Sequence, residues 1–225
     1  ESATMYGIAI AHSLFNILCT AMLLPCGSML EKLAIRLVPD AAQEEKAVEL
    51  DERLLATPSL ALQQCRTVAN DMAVCAVRSL ENALTAFDQY TPELAESVRK
   101  DEDRCDHYED VIGTYLVKLS AQKMGEKESE EATELLKSIG DWERVSDHAV
   151  NVLESEELRE KGLAFSDSAQ SELATLSDAV REILTLAQTS FIQQDVSSAL
   201  QVEPLEQVID ALKEKMRTRH ILRMQ

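Results

Sequence analysis

The chain has 225 residues, a formal net charge of −18, 4% aromatic residues, six glycines and five prolines. This length allows one or two domains, and the scarcity of glycine and proline is typical of long helices with short connections. The strong negative charge argues against binding to nucleic acid and against docking on anionic lipid.

The cysteine pattern does not predict a disulfide framework. They are Cys19, Cys26, Cys65, Cys75 and Cys105. Because their number is odd and no Cys-x-x-Cys motif occurs, the sequence favours isolated buried thiols in a reducing compartment over disulfides or a zinc thiolate site. The chain starts at Glu1 rather than at a methionine, so we expect it to be an internal piece of a longer protein.

The first 38 residues contain a long uncharged run. No charged side chain occurs between Glu1 and Glu31, and the centre of the run is residues 6–24. A helix that crosses the hydrocarbon needs about 20 such residues, so this run predicts a transmembrane helix within residues 1–38, with residues 5–28 in lipid. A secretory signal peptide is disfavoured because an initiator methionine and a basic start are missing. A buried helix of a water-soluble domain is the other alternative.

Polar side chains interrupt this run, among them His12 and Asn16. Such groups are costly against lipid, so we expect both to face other membrane helices or a hydrated cavity. One helix cannot supply those partners, which predicts an upstream membrane domain of the same protein. Lys32 and Arg36 follow the run and favour a cytoplasmic position for its C-terminal end and for the residues after about 30. The alternative is that both are ordinary solvated charges.

The rest of the chain has the pattern of a helical bundle. Residues 39–56 are polar and predict a partly helical connector, and residues 57–225 predict five helices. The predicted starts are Thr57-Pro58, Thr91-Pro92, about Ser129, about Ser166 and the residues after Ser197–Ser198. Threonine is a favoured N-cap and proline fits the first helical position, which makes the first two starts the clearest. The third helix is expected to end near Lys161, with Gly162 as its C-cap.

Each predicted helix has an apolar stripe at helical spacing. The stripes are Cys65, Val68, Met72, Ala76, Leu80, Ala83 and Phe87; Leu94, Val98, Cys105, Tyr108, Ile112, Tyr115 and Leu119; Leu135, Ile139, Trp142, Ser146, Ala149 and Leu153; Leu173, Leu176, Val180, Ile183, Ala187 and Phe191; and Val202, Leu205, Ile209, Leu212 and Met216. Asp101 and Glu102 break the second stripe where an apolar residue is expected.

Three pairs of carboxylates border these stripes. They are Glu102 with Asp106, Glu143 with Asp147, and Glu206 with Asp210. Residues four apart lie on one face of a helix, so each pair presents two carboxylates together. We predict that all three pairs are metal ligands, for a divalent or trivalent ion such as iron, manganese or zinc, and that the first two pairs face one another. A solvated acidic face is the alternative, and His107 and His148 are further candidate ligands or plain structural residues.

Residues 143–151 read Glu-Arg-Val-Ser-Asp-His-Ala-Val-Asn, which resembles the Glu-Arg-x-x-Asp-His-x-x-Asn signature of PhoU-type helical domains. The resemblance implies two similar three-helix units that bind metal ions through Glu-x-x-x-Asp motifs. Residues 57–162 would be the first unit, and residues 163–225 an incomplete second unit. Five of six helices would then be present, because the sixth, which should repeat the signature, does not occur before residue 225.

Two further segments resemble bacterial sodium/phosphate cotransporters. Residues 9–16 are similar to the last membrane helix of that family, and residues 50–62 are similar to the segment that follows it. In that family the membrane part precedes a cytoplasmic PhoU-like domain, which is the order found here. The resemblance implies the C-terminal region of a sodium-dependent phosphate transporter with a regulatory PhoU-like domain. Sodium and phosphate would be the transported species.

Two other functions are left open by the sequence. One is a membrane-tethered, metal-binding regulator of phosphate uptake that transports nothing itself, and the other is a plain structural bundle. No Gly-rich phosphate loop and no nucleophile–base arrangement occurs, so we do not expect an enzyme. Nucleic acid is not expected as a partner, and assembly into a homo-oligomer is left open.

Overall fold

The computed structural model describes residues 5–23, 48–87, 89–160 and 165–223. The chain divides into two compact units, Glu1–Ala47 and Val48–Gln225. Every regular element in the described ranges is helical, which confirms the predicted all-α class.

The first unit contains helix α1, Met5–Leu23. His12 and Asn16 lie one turn apart on α1, and Nδ2 of Asn16 is 3.2 Å from Nε2 of His12, so the two side chains partner each other. Across the described residues, no helix combines the length and the apolar character that a membrane span requires. The predicted transmembrane helix is therefore unsupported, and the last part of the predicted span, residues 24–28, lies outside the described residues.

The second unit consists of one short 3₁₀ helix and five α-helices in the part of the chain that the structure describes. The 3₁₀ helix is Glu52–Ala56. The α-helices are α2 (Pro58–Ala86), α3 (Pro92–Ser120), α4 (Glu126–Glu160), α5 (Asp167–Gln193) and α6 (Val196–Arg223). The predicted starts of these helices agree with the structure to within about three residues.

The core lies between α2, α3 and α4, each of which packs against the other two. Nearly all residues of the first three predicted stripes are buried there, including Met72, Ile112 and Leu153. Many of the α2 core residues are alanines, whose small side chains let neighbouring helices approach closely. At about 25 cal/mol per Å² of buried apolar surface, this continuous core is the main source of stability for the three helices.

Side-chain caps fix where three of the helices begin. Oγ1 of Thr91 accepts a hydrogen bond from the Leu94 amide at 3.1 Å, and Oγ of Ser166 accepts one from the Ala169 amide at 3.3 Å. Asp195 caps α6 by accepting from the amides of Ser197 and Ser198. Thr57 stands at the predicted start of α2, but its side chain makes no capping hydrogen bond.

Residues 48–56 are fastened to the bundle. Leu50 is buried in the core, and the Tyr115 hydroxyl of α3 donates a hydrogen bond to the Asp51 carbonyl at 2.8 Å. The Asp51 amide donates to Oε1 of Gln64 on α2 at 3.1 Å. The segment predicted as a connector is thus, from Val48 onwards, part of the second compact unit.

Helices α5 and α6 pack against each other, and α5 also contacts α2. Their predicted inward residues are half-buried rather than buried, whereas Ser177, Leu184 and Ser198 are buried. Trp142 of α4 contacts Phe191 of α5 edge to face, with ring centroids 5.5 Å apart. The helical pair therefore covers one side of the three-helix core and leaves much of its own apolar surface accessible.

Candidate functional site

Helices α3 and α4 approach closely beside the carboxylate pairs. A Cβ atom added to Gly113 of α3 would lie 3.8 Å from Cδ1 of Ile139, and one added to Gly140 of α4 would lie 3.7 Å from Oε1 of Glu109. Residue numbers rise along one helix as they fall along the other, so the two helices are antiparallel. The same alignment carries residues 102–106 to the level of residues 143–147.

The first two predicted pairs are therefore brought together. Glu102 and Asp106 on α3 lie within electrostatic reach of Glu143 and Asp147 on α4. The backbone supplies this arrangement, because i, i+4 spacing puts each pair on one ridge and the antiparallel contact sets the two ridges side by side. Glu102 and Glu143 are half-buried, whereas Asp106 and Asp147 are exposed.

The carboxylates of this acidic cluster (Glu102, Asp106, Glu143 and Asp147) disfavour one another's charge. Desolvation raises the pKa of Glu102 above its usual value, and the charges of Asp106, Asp103, Asp147 and Glu143 raise it further. Desolvation and the nearby Asp147 likewise raise the pKa of Asp106 and of Glu143. Such a group of negative charges favours binding of protons or of a positive ion.

Neighbouring polar side chains of α3 and α4 are exposed or bonded within their own helix. His107 and His148 are both exposed. Nδ2 of Asn151 donates a hydrogen bond to the Asp147 carbonyl at 2.9 Å, which is a contact within its own helix. Arg144 pairs with the exposed Asp141 at 3.3 Å.

The third predicted pair lies apart from the other two. Glu206 and Asp210 are exposed on α6. The Lys213 ammonium donates a hydrogen bond to Asp210 and lowers the pKa of that carboxyl. Asp210 therefore has a cation of its own helix beside it, and its pKa is lowered where those of Glu102, Asp106 and Glu143 are raised.

The acidic cluster has the ligand types that a metal ion requires, but its side chains are not arranged around an ion site. Carboxylate oxygens are ligands for hard and borderline cations, and their mutual repulsion would be relieved by one. Within the described ranges, however, no three His, Cys, Asp or Glu side chains stand together so that they could hold an ion. Binding would therefore require the carboxylate side chains to change rotamer. Asp106 and Asp147 can do so because both are exposed and neither packs in the core.

A second polar cluster was not assigned from the sequence. Asp101 of α3 is buried, and the guanidinium of Arg78 on α2 donates hydrogen bonds to both of its carboxylate oxygens. Sγ of Cys75 lies 3.4 Å from Oδ1 of Asp101. The break in the apolar stripe at residues 101–102 was the sequence signal for a buried carboxylate. The sequence alone does not show which cation pairs with it.

Comparison with known families identifies the central part of this bundle. Residues 69–155 match the family model of the PhoU domain. The match runs from within α2 to near the end of α4, so the PhoU domain contains the whole acidic cluster. No curated protein and no solved structure matches the chain significantly.

Proposed function

We propose that this chain regulates phosphate uptake and that its PhoU domain is the regulatory part. The observation that carries the proposal is the match over residues 69–155, which runs from within α2, through α3, to near the end of α4. The acidic cluster inside that stretch supports it, because a surface whose charge depends on bound protons or cations can respond to conditions in the cell.

The finer proposal is that the parent protein is a sodium-dependent phosphate cotransporter of the inner membrane, of which this chain is the C-terminal region. What supports it is the resemblance of residues 9–16 and 50–62 to that family and their order ahead of the PhoU domain. Sodium and phosphate would be carried by an upstream membrane domain, and the PhoU domain would act on it from the cytoplasmic side.

Uptake of radiolabelled phosphate tests both levels of the proposal. The full-length parent protein is expressed in cells that lack their own phosphate transporters, and uptake is measured with and without sodium. A transporter gives sodium-dependent uptake, and Asp106→Asn with Asp147→Asn changes how uptake responds to external phosphate. The matched control is Asp141→Asn, an exposed aspartate of α4 outside the acidic cluster.

Two other outcomes would lead to different conclusions. No uptake by the parent protein alone, together with altered uptake when it is added to cells that retain a transporter, favours a membrane-tethered regulator without transport activity. Uptake that is unaffected by the parent protein in both kinds of cell contradicts a role in phosphate uptake.

The acidic cluster is also proposed to bind a divalent or trivalent metal ion through Glu102, Asp106, Glu143 and Asp147. A bound ion would stabilise the folded state by mass action, so iron, manganese or zinc should raise the melting temperature of the purified chain. Asp106→Asn with Asp147→Asn should abolish that rise, and Asp141→Asn should leave it unchanged. Equal rises in all three proteins, or none in the unmodified chain, would contradict the assignment.

A further inference from the structure

Two of the buried thiols lie against each other between α2 and α3. Sγ of Cys75 on α2 is 3.5 Å from the Asp101 carbonyl, and Sγ of Cys105 on α3 is 4.0 Å from the Met72 carbonyl. A helical carbonyl faces the amide four residues later, so the Asp101 carbonyl lies beside the Cys105 amide. In the same way, the Met72 carbonyl faces the amide of the residue after Cys75. Each sulfur therefore reaches the backbone next to the other cysteine.

The two thiols also hydrogen-bond to each other. Both cysteines are free in this structure. The sequence predicted isolated thiols, but Cys75 and Cys105 are in contact across the helix interface. A disulfide requires two sulfurs that can meet without displacing the backbone. Because the sulfurs of this pair are already in contact, it meets that requirement better than Cys65, which lies about 15 Å from Cys75 along α2.

A surface cleft of about 260 Å³ opens beside this thiol pair. It is lined by Cys75 and by polar or charged side chains, among them Arg78, Arg104 and Tyr108. Nη2 of Arg78 is 3.6 Å from Sγ of Cys75, so the guanidinium forms the wall of the cleft next to the thiol. Cys75 is 3% exposed, whereas Cys105 is fully buried. Cys75 is therefore the member of the pair that a small oxidant meets first.

We propose that Cys75 and Cys105 are a site of reversible oxidation, at which a peroxide converts the two thiols into a disulfide between α2 and α3. The Cys75 sulfur attacks one oxygen of hydrogen peroxide, the O–O bond breaks, and the released hydroxide takes the thiol proton to form water. The Cys105 sulfur then attacks the resulting sulfenic acid. An S–S bond replaces the S–O bond, and hydroxide leaves with the Cys105 proton as a second water. The two thiols together give two electrons to the peroxide.

Oxidation at this site should be slow, and its product should bind the two helices firmly. The hydrogen bond to Cys105, burial and the charge of Asp101 hold the pKa of the Cys75 thiol well above its usual range, so its reactive thiolate is scarce. The disulfide would close a loop of about 30 residues and tie α2 to the part of α3 that carries Glu102 and Asp106. Sustained oxidation would therefore fix these helices together, whereas a brief exposure would leave the thiols reduced.

Peptide mapping of the full chain after treatment with hydrogen peroxide tests the pairing. Trypsin places the three bundle cysteines in separate peptides: Cys65 in residues 54–66, Cys75 in residues 67–78 and Cys105 in residues 105–118. Cys19 and Cys26 are replaced by serine, so that thiols of the first unit cannot react. After hours of exposure we expect residues 67–78 linked to residues 105–118, with a mass loss of about 2 Da that dithiothreitol reverses.

The same reaction in urea is the control for geometry. In the unfolded chain loop closure favours the shorter loop, so Cys65 linked to Cys75 should be the main product there. In the folded chain Cys65→Ser should keep the link between the other two cysteines, and Cys105→Ser should abolish it. The oxidised chain should melt roughly 5–10 °C above the reduced chain, and Cys75→Ser should remove that difference. Circular dichroism checks that each variant is folded.

Three results would overturn the proposal. One is a folded chain in which Cys75 is oxidised to sulfinic acid, or stays reduced after prolonged exposure, without any link to Cys105. Another is the same set of links in the folded chain as in urea, since the reaction would then pass through the unfolded state. The last is a disulfide between Cys75 and Cys105 that leaves the melting temperature unchanged, which would contradict the binding of α2 to α3.

Discussion

Arg78 on α2 and Asp101 on α3 form a two-point ion pair across the helix interface. The two side chains differ in burial, because the Arg78 side chain is 48% exposed and the Asp101 side chain 8% exposed. The pair therefore holds a buried carboxylate against the core and leaves part of the guanidinium in contact with water. Removing Arg78 and removing Asp101 should therefore lower the free energy of unfolding by different amounts.

Arg78→Met should destabilise the protein more than Asp101→Asn. The first change leaves a buried carboxylate without its cation and should lower the free energy of unfolding by about 2–3 kcal/mol. The second keeps the shape and an acceptor oxygen, and the guanidinium can be hydrated, so about 1–2 kcal/mol is expected. Urea unfolding measures both values. Arg144→Met, in an exposed pair, should cost less than about 0.5 kcal/mol, and a reversed order of the first two would contradict this account.

Phe191→Ala should loosen α5 from α4. Phe191 is half-buried against Trp142, so its loss should cost about 2 kcal/mol, less than for a fully buried ring. Trp142 is the single tryptophan of the chain, so its fluorescence reports on this contact directly. We expect a shift of the emission maximum to longer wavelength as water reaches the indole. Phe165→Ala, which removes an aromatic ring outside this contact, should leave the emission unchanged.

The stabilising effect of Asp106→Asn should depend on pH. The pKa of Asp106 in the folded protein lies above its ordinary value of 3.8, because of desolvation and then the charge of Asp147. The folded protein therefore binds this proton more tightly than the unfolded chain, so stability is lost as the pH rises through the folded-state pKa.

The Asp106→Asn variant does not lose stability in this way, because it lacks the titrating carboxyl. It should melt about 2 °C above the unmodified protein at pH 7, and the difference should shrink towards zero below about pH 3.8. Thermal unfolding followed by circular dichroism at several pH values measures this. Asp141→Asn should not raise the melting temperature, because that carboxylate has Arg144 beside it. A difference for Asp106→Asn that grows as the pH falls would contradict the electrostatic account.

Amide exchange should be faster in α5 and α6 than in α2, α3 and α4. The inward residues of α5 and α6 are half-buried, so local opening of this pair exposes less apolar surface and costs less free energy. Hydrogen–deuterium exchange with mass spectrometry, at concentrations where the chain is monomeric, resolves the helices as separate peptides. Equal protection in all five helices would mean that a further element covers the pair.

The sequence was most informative where local chemistry decides the structure. The helix starts at Thr91 and Ser166 follow from capping preferences, and the stripe from Leu135 to Leu153 is buried as predicted. The convergence of Glu102 with Asp147 was also predicted, because helical spacing and antiparallel packing are both visible in the pattern. These features depend on a few neighbouring residues or on a repeated spacing.

Features that depend on distant partners were missed. The contact of Arg78 with Asp101 joins two helices, and no local pattern selects that arginine from the others. Thr57 has the residue type of an N-cap but makes no capping hydrogen bond, because the preceding 3₁₀ helix sets its backbone: its amide donates to the Leu54 carbonyl.

The buried thiols of α2 and α3 can report how often these helices separate. Cys65, Cys75 and Cys105 are almost inaccessible to solvent. Burial raises the pKa of Cys65 to about 12, so hardly any Cys65 thiolate forms at neutral pH. An alkylating reagent can reach them only in the instants when these helices separate. The rate at which the chain gains mass from alkylation, followed by mass spectrometry, would therefore report how often the helices of the PhoU domain separate.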